Sequence, residues 1–256
     1  MSNLKKKIDI IMPNYNKGKF IDKAIKSVIS QSFKNWRLFI VDDNSSDNSK
    51  EIILKYKKDK RIKLFFLKKN KGPSYCRNLA IKKSNSKYIA FLDSDDFWKK
   101  EKLISQLNFM IKNKFYFTFT DYIPILDYDN FKKQLKSTKI APKFMFKNFV
   151  NNSSINTSTM ILNRKFIKNI KFRNLKLMED YIFKCELMKK TNIPFMKFPK
   201  STAIYRIIQK SRSSKKFSNL INLWIINKKY NELNLFNNII SLLSISLDSI
   251  KNYGFK

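Results

Sequence analysis

From Ile8 to about Asp121, short apolar runs alternate with stretches in which apolar positions recur every three or four residues. This alternation predicts an α/β layer built around a largely parallel sheet. The runs that read as strands are Ile8 to Met12, Trp36 to Val41, Ile62 to Leu67, Tyr88 to Leu92 and Phe115 to Thr120. Between the first two, Phe20, Ile21, Ala24, Ile25, Val28 and Ile29 share one helix face. Ile52, Ile53 and Tyr56 mark a second helix, and Leu103, Ile104, Leu107 and Ile111 mark another after the fourth strand.

Beyond about Ile123 the pattern loosens into a Lys-rich connection, a strand from Thr157 to Leu162, and a helix from Met178 to Met188 that opens on Glu179 and Asp180. From Phe217 onward, Leu220, Leu223, Trp224 and Ile225 and then Ile239, Ile240, Leu242, Leu243 and Ile245 mark amphipathic helices. Such helices pack on a domain or lie on a membrane, and the spacing alone leaves both open.

Open α/β sheets bind ligands beyond the carboxyl ends of their strands. Three of these ends are rich in polar or acidic residues: Pro13-Asn14-Tyr15-Asn16, Asp42-Asp43-Asn44-Ser45-Ser46-Asp47 and Asp93-Ser94-Asp95-Asp96. Carboxylates crowded on one turn repel unless a cation neutralises them, and an all-oxygen donor set suits Mg2+ or Mn2+ rather than zinc. A solvated acidic turn capping the next helix accounts for the same residues. The Asp42-Asp43 pair can accept hydrogen bonds from a nucleobase edge, whereas a turn with a helix cap explains Asn44 to Asp47. Asn70-Lys71-Gly72-Pro73-Ser74 opens a helix that carries Arg77, which makes either an anion site for a diphosphate or an ordinary helix start with a surface arginine. Together on one sheet edge, these features describe a nucleoside-diphosphate site.

Composition narrows the chemistry. The chain has no histidine, which excludes Ser-His-Asp and Cys-His catalysis and leaves carboxylates as acid, base and metal groups. Cys76 and Cys185 stand far apart in no metal or redox pattern, so they read as reduced buried thiols. With 54 Lys and Arg against 19 Asp and Glu, the net charge of +35 favours phosphates, nucleic acid or an anionic membrane. The basic residues are scattered, however, and Lys, Asn, Ile and Phe are abundant throughout, so charge alone assigns no partner. No run reaches the length of a spanning helix and the first residues lack a secretory signal, which points to a cytoplasmic location.

Four segments, Ile11 to Asn16, Val41 to Asp47, Asn70 to Asn78 and Phe91 to Asp96, resemble in order and spacing the family 2 glycosyltransferases, bacterial enzymes that build surface polysaccharides and lipopolysaccharide. The resemblance implies a GT-A fold, a Rossmann-like and mostly parallel sheet flanked by helices. Residues 1–215 would form this domain, with 1–121 as the nucleotide-binding half and 122–215 as the acceptor-side half, and 216–256 would be a C-terminal helical extension. It further implies that Pro13 and Tyr15 flank the base, Asp42 or Asp43 contacts it, and Arg77 lies beside the nucleotide. Asp93 and Asp95 match an Asp-x-Asp motif, with Asp95 on Mn2+ or Mg2+ and Asp93 on ribose or metal.

Glu179-Asp180 resembles a Glu-Asp pair whose aspartate is the catalytic base of inverting members, although two acids also suit the dipole of a first helical turn. Tyr205 to Ser211 resembles a Tyr-Arg-x-His segment in which Ile208 takes the histidine position; Glu179, Arg206, Gln209 and Lys210 are then candidate contacts to diphosphate or acceptor. Asn156, Thr157, Ser158 and Thr159 are candidate sugar contacts or an ordinary strand. The implied reaction moves a sugar, with a uridine donor preferred, to a glycan or lipid-linked hydroxyl at the inner face of the cytoplasmic membrane, without a specific nucleic-acid partner. Two competing readings are a nucleotidyltransferase that releases pyrophosphate and a basic nucleic-acid-binding protein; the second leaves the acidic cluster unexplained.

Overall fold

A computed structural model describes residues 7–128, 131–167, 169–175, 177–208 and 216–253. The first half is a run of βα units: β1 (Ile8–Asn14), α1 (Gly18–Ile29), β2 (Trp36–Asp42), α2 (Ser49–Leu54), β3 (Ile62–Phe66), α3 (Pro73–Lys83) and β4 (Tyr88–Phe91). β3, β2, β1 and β4 lie side by side in that order and all run parallel. β1 and β2 are near-continuous apolar runs because both of their faces are buried. On α1, Ile21, Ala24, Ile25 and Val28 form the buried stripe. Since β1 has β2 on one side and β4 on the other, the winding direction reverses there, and a crevice opens beyond the ends of these strands.

The second half is mixed. It holds β5 (Phe97–Trp98), α4 (Lys102–Lys112), β6 (Phe117–Tyr128), β7 (Phe131–Gln134), β8 (Lys143–Phe144), α5 (Phe146–Phe149), β9 (Ile161–Asn163), α6 (Glu179–Thr191) and β10 (Phe195–Ile208). β9 runs antiparallel between β4 and β6, and β10 then pairs with β6 in parallel. The strand expected from Thr157 to Leu162 is a correction: Thr157–Thr159 form a 3-10 turn, and the strand starts only at Ile161. The Asn156 side chain accepts from the Ser158 amide while the Thr159 hydroxyl donates to the Asn156 carbonyl, and these local bonds compete with extension.

α7 (Lys216–Lys229) and α8 (Leu235–Tyr253) pack on each other and are tied to α6 and to the end of α5. Leu223 and Ile226 join the core, Tyr181 donates to Asn227 at 2.9 Å, and Ser241 donates to the Val150 carbonyl. Both cysteines are free and buried. Among the described residues no helix is long and apolar enough to cross a membrane.

Candidate active site

The turn after β4 sorts its carboxylates by direction. Asp96 points inward and is almost fully buried, accepting from the Ser158 hydroxyl at 2.6 Å and the Arg206 amide at 2.9 Å. Burial, reinforced by the charges of Asp95 and Asp93, holds its carboxyl well above the usual range. Asp93 and Asp95 stay partly exposed, and each meets a cation: Arg77 lies 2.7 Å from Asp93, and Lys17 lies 2.7 Å from Asp95.

The loops after β1 and β2 are tied to each other. Asp42 accepts from the Asn14 side chain at 2.7 Å and from the hydroxyl and amide of Ser45. Asp43 accepts from the amides of Lys71 and Gly72, both at 2.7 Å, and so fixes the entry to α3. Gly72 has a φ of 83°, where a side chain is strained. Asp47 accepts from the amides of Gly18 and Ser49, so one carboxylate caps the starts of both α1 and α2. A Cβ at Gly18 would fall 1.8 Å from the Asn48 side-chain oxygen and 3.1 Å from the Asp47 carboxylate, so any larger residue there displaces the Asn48 side chain. Pro13 is half-buried and Tyr15 exposed beside these loops. Asp42 and Asp43 thus already have partners within the chain, and a ligand would meet only their remaining lone pairs.

Arg77 links the two acidic regions. Its buried guanidinium donates to Asp93 and, at 3.3 Å, to Glu179. Burial works against its charge, but the two carboxylates outweigh that and hold its pKa above the ordinary value. Arg77, expected beside the nucleotide, is held between these two carboxylates. Met178 enters α6 with a φ of 60°, a left-handed conformation that costs a residue with a Cβ about 1–2 kcal/mol. Next to it, Asp180 accepts on Oδ2 from Lys184 at 2.7 Å and from the Thr157 hydroxyl at 3.1 Å. Its Oδ1 has no hydrogen-bond partner among the described residues. Burial alone would raise the Asp180 pKa, yet Lys184, with help from Arg77, holds it well below the usual carboxylate range.

The 3-10 turn at Thr157–Thr159 joins these parts. Ser158 accepts from the Asp93 amide and donates to Asp96, while Thr157 donates to Asp180. Lys102 and Gln106 of α4 anchor the turn through the Thr159 carbonyl, and the Trp98 indole donates to the Ser158 carbonyl. Arg206 is buried, donating to the Asp95 carbonyl at 2.9 Å and to the Asp127 carboxylate. It supports the acidic turn from behind instead of facing the opening. Gln209 and Lys210 lie outside the described residues.

The sequence reading missed Lys17, Lys184 and the bridging role of Ser158. Lys184 carries a signal, since it stands four residues after Asp180 on one helix; Lys17 meets its partner only through tertiary folding.

The acidic turn suits a hard divalent cation. Asp93 and Asp95 offer carboxylate oxygens at the crevice, and their lysine and arginine partners show that the turn is compensated by positive charge. No group of three or more His, Cys, Asp or Glu gathers among the described residues. Asp93 and Asp95 would be the chain's own donors to such an ion, with phosphate and water supplying the remaining oxygens.

A sheet whose reversal point is lined by these loops is the architecture of GT-A glycosyltransferases, and comparison with known proteins agrees. The model of "Glycosyl transferase family 2" matches residues 9–171, and the chain belongs to this family. It is 34% identical over 249 residues to the Escherichia coli UDP-Glc:alpha-D-GlcNAc-diphosphoundecaprenol beta-1,3-glucosyltransferase WfgD, covering 97% of this chain and 95% of that one. Its fold is similar to Staphylococcus aureus TarS 1-349 in complex with UDP-GlcNAc, with a TM-score of 0.71 and 21% identity over 96% of this chain and 73% of that one. It is likewise similar to the mannosyltransferase PcManGT from Pyrobaculum calidifontis in complex with GDP-Man and Mn2+, with a TM-score of 0.69 and 11% identity over 94% and 70% of the two chains. The class is thus a glycosyltransferase, not a nucleotidyltransferase or a simple nucleic-acid binder.

Proposed function

We propose that the chain transfers a sugar from a UDP-sugar to a hydroxyl of a lipid-linked glycan in surface-polysaccharide synthesis, with inversion at the anomeric carbon. The observation that carries this reading is the continuity of the cluster: Arg77 and the Thr157–Thr159 turn tie the Asp93–Asp95 edge to the first turn of α6, where Asp180 stands. The names of WfgD and of the TarS complex, with UDP-Glc and UDP-GlcNAc, favour a uridine donor, and that of WfgD favours a lipid diphosphate acceptor.

In this reading Pro13, Tyr15 and the Asp42–Asp43 loop cradle the base, and Asp93 and Arg77 border the ribose and diphosphate. Asp95, with Asp93, would hold Mn2+ or Mg2+, which supplies charge neutralisation to the leaving diphosphate. Lys17 offers a second positive charge at the same edge. Asp180 takes the acceptor proton on Oδ1 while Thr157 and Lys184 fix Oδ2. Its depressed pKa keeps it ionised throughout the neutral range, although less basic than an unpaired carboxylate.

The test is transfer from a panel of UDP- and GDP-sugars to an undecaprenyl-diphosphate-linked sugar, with the product's anomeric configuration read by NMR. UDP release with inverted configuration is expected. Retained configuration, or a preference for GDP-sugars, contradicts the reading.

A further inference from the structure

The C-terminal helix pair carries large apolar side chains on its outer side as well as toward the core. On α8, Leu235, Phe236, Ile239, Leu243 and Leu247 share one arc, and four of them, all but Ile239, are 61–71% exposed. The opposite arc carries buried Asn238 and Ser241, which bond to Trp224, Asn227 and Val150, with Leu242 and Ile245 packed on the core beside them. On α7, Leu220, Ile221 and Ile225 are exposed as well. A helix that buries amides and hydroxyls while leaving five large apolar side chains on its outer arc is not organised for water on that side.

We propose that this face seats the protein on an anionic lipid bilayer, lying within the interface without crossing it. Charge selects this occupant over a second copy of the chain. Residues 216–253 contain only two acids, Glu232 and Asp248, and both are engaged, with Lys189 and with Asn152. Lys228 and Lys229 are exposed at the end of α7. Two chains of net charge +35 would meet through this face with no free acid to match them, whereas anionic headgroups supply the opposite charge. The seat also connects to the candidate base, because Tyr181, the residue after Asp180, bonds to Asn227 of α7. This deepens the proposed function, since its purpose rests on a lipid-linked acceptor.

Flotation of the full chain with phosphatidylglycerol or phosphatidylcholine vesicles tests it, comparing the native protein with the triple variant Phe236→Ser, Leu243→Ser, Leu247→Ser. Binding to phosphatidylglycerol, weaker on phosphatidylcholine, should fall at least tenfold in the triple variant while its melting temperature stays close to native. Leu243→Trp should show a blue-shifted emission with phosphatidylglycerol vesicles. The proposal fails if the native chain does not float, if the triple variant floats equally well, or if sedimentation shows a native dimer that the triple variant splits. Transfer to a detergent-solubilised lipid-linked acceptor is measured in parallel: transfer without vesicle binding overturns the seat alone, and vesicle binding without transfer overturns only the functional reading.

Discussion

The acidic turn after β4 and the acidic first turn of α6 neutralise their charge in different ways. Asp93 and Asp95 take their cations, Arg77 and Lys17, from two other loops and helices, so their balance exists only where three parts of the chain meet. Asp180 takes Lys184 from the next turn of its own helix, with a buried ammonium that also donates to the Ile155 carbonyl. The first arrangement is open to rearrangement by a ligand that brings its own charges. The second is preset, holding one carboxylate oxygen and leaving the other without a partner among the described residues. The proposed donor and base roles would use this division, because a donor complex imports a diphosphate whereas a base must be ionised and aimed beforehand.

The sharpest way to separate the two regions is Asp180→Asn. Transfer should drop by about 10²- to 10⁴-fold, the usual contribution of a positioned base, while UDP affinity remains within about twofold of native. Parallel loss of both would merge the two regions into one. Arg77→Met attacks the link between them instead, taking the buried guanidinium away from buried Glu179 and part-buried Asp93. Chemical denaturation should show a loss of about 3–5 kcal/mol, as for other broken buried ion pairs. Ser158→Ala is milder: it removes one of two hydrogen-bonding partners of Asp96, and a loss of about 1–3 kcal/mol is expected in the same assay.

Lys184→Met gives the most specific effect. Burial alone raises the Asp180 pKa and Lys184 is the main group lowering it, so the acid limb of the kcat/KM profile should move to higher pH. Stability should respond with the matching sign. A carboxylate whose pKa is depressed in the folded protein contributes stability that is complete above about pH 5 and fades as the pH falls toward its folded value. The variant's melting temperature should therefore depend less on acid than that of the native chain.

Much of the first region was legible because strand ends follow from hydrophobic runs, and Asp42, Asp43, Asp93 and Asp95 sit where those runs stop. The ion pairs were not. Lys17 is one of 54 basic residues, and composition gave it no contrast. That Arg77 also bridges to Glu179 could not be read, because Glu179 lies 102 residues along the chain. The 3-10 turn at Thr157–Thr159 was masked by β-branched side chains that favour strands, and only the Asn156 side chain and the tertiary bonds of Ser158 explain its conformation. In α8 the periodicity announced an amphipathic helix but could not say which face meets the protein; the buried Asn238 and Ser241 settle that.

The most direct test of the central claim, that the Asp93–Asp95 edge is a metal-dependent donor site, is calorimetric titration of UDP with and without Mn2+ into native protein and Asp95→Ala. Binding should require Mn2+ in the native chain and disappear in the variant. Equal affinity with and without Mn2+, or a variant that binds as the native protein does, would contradict it.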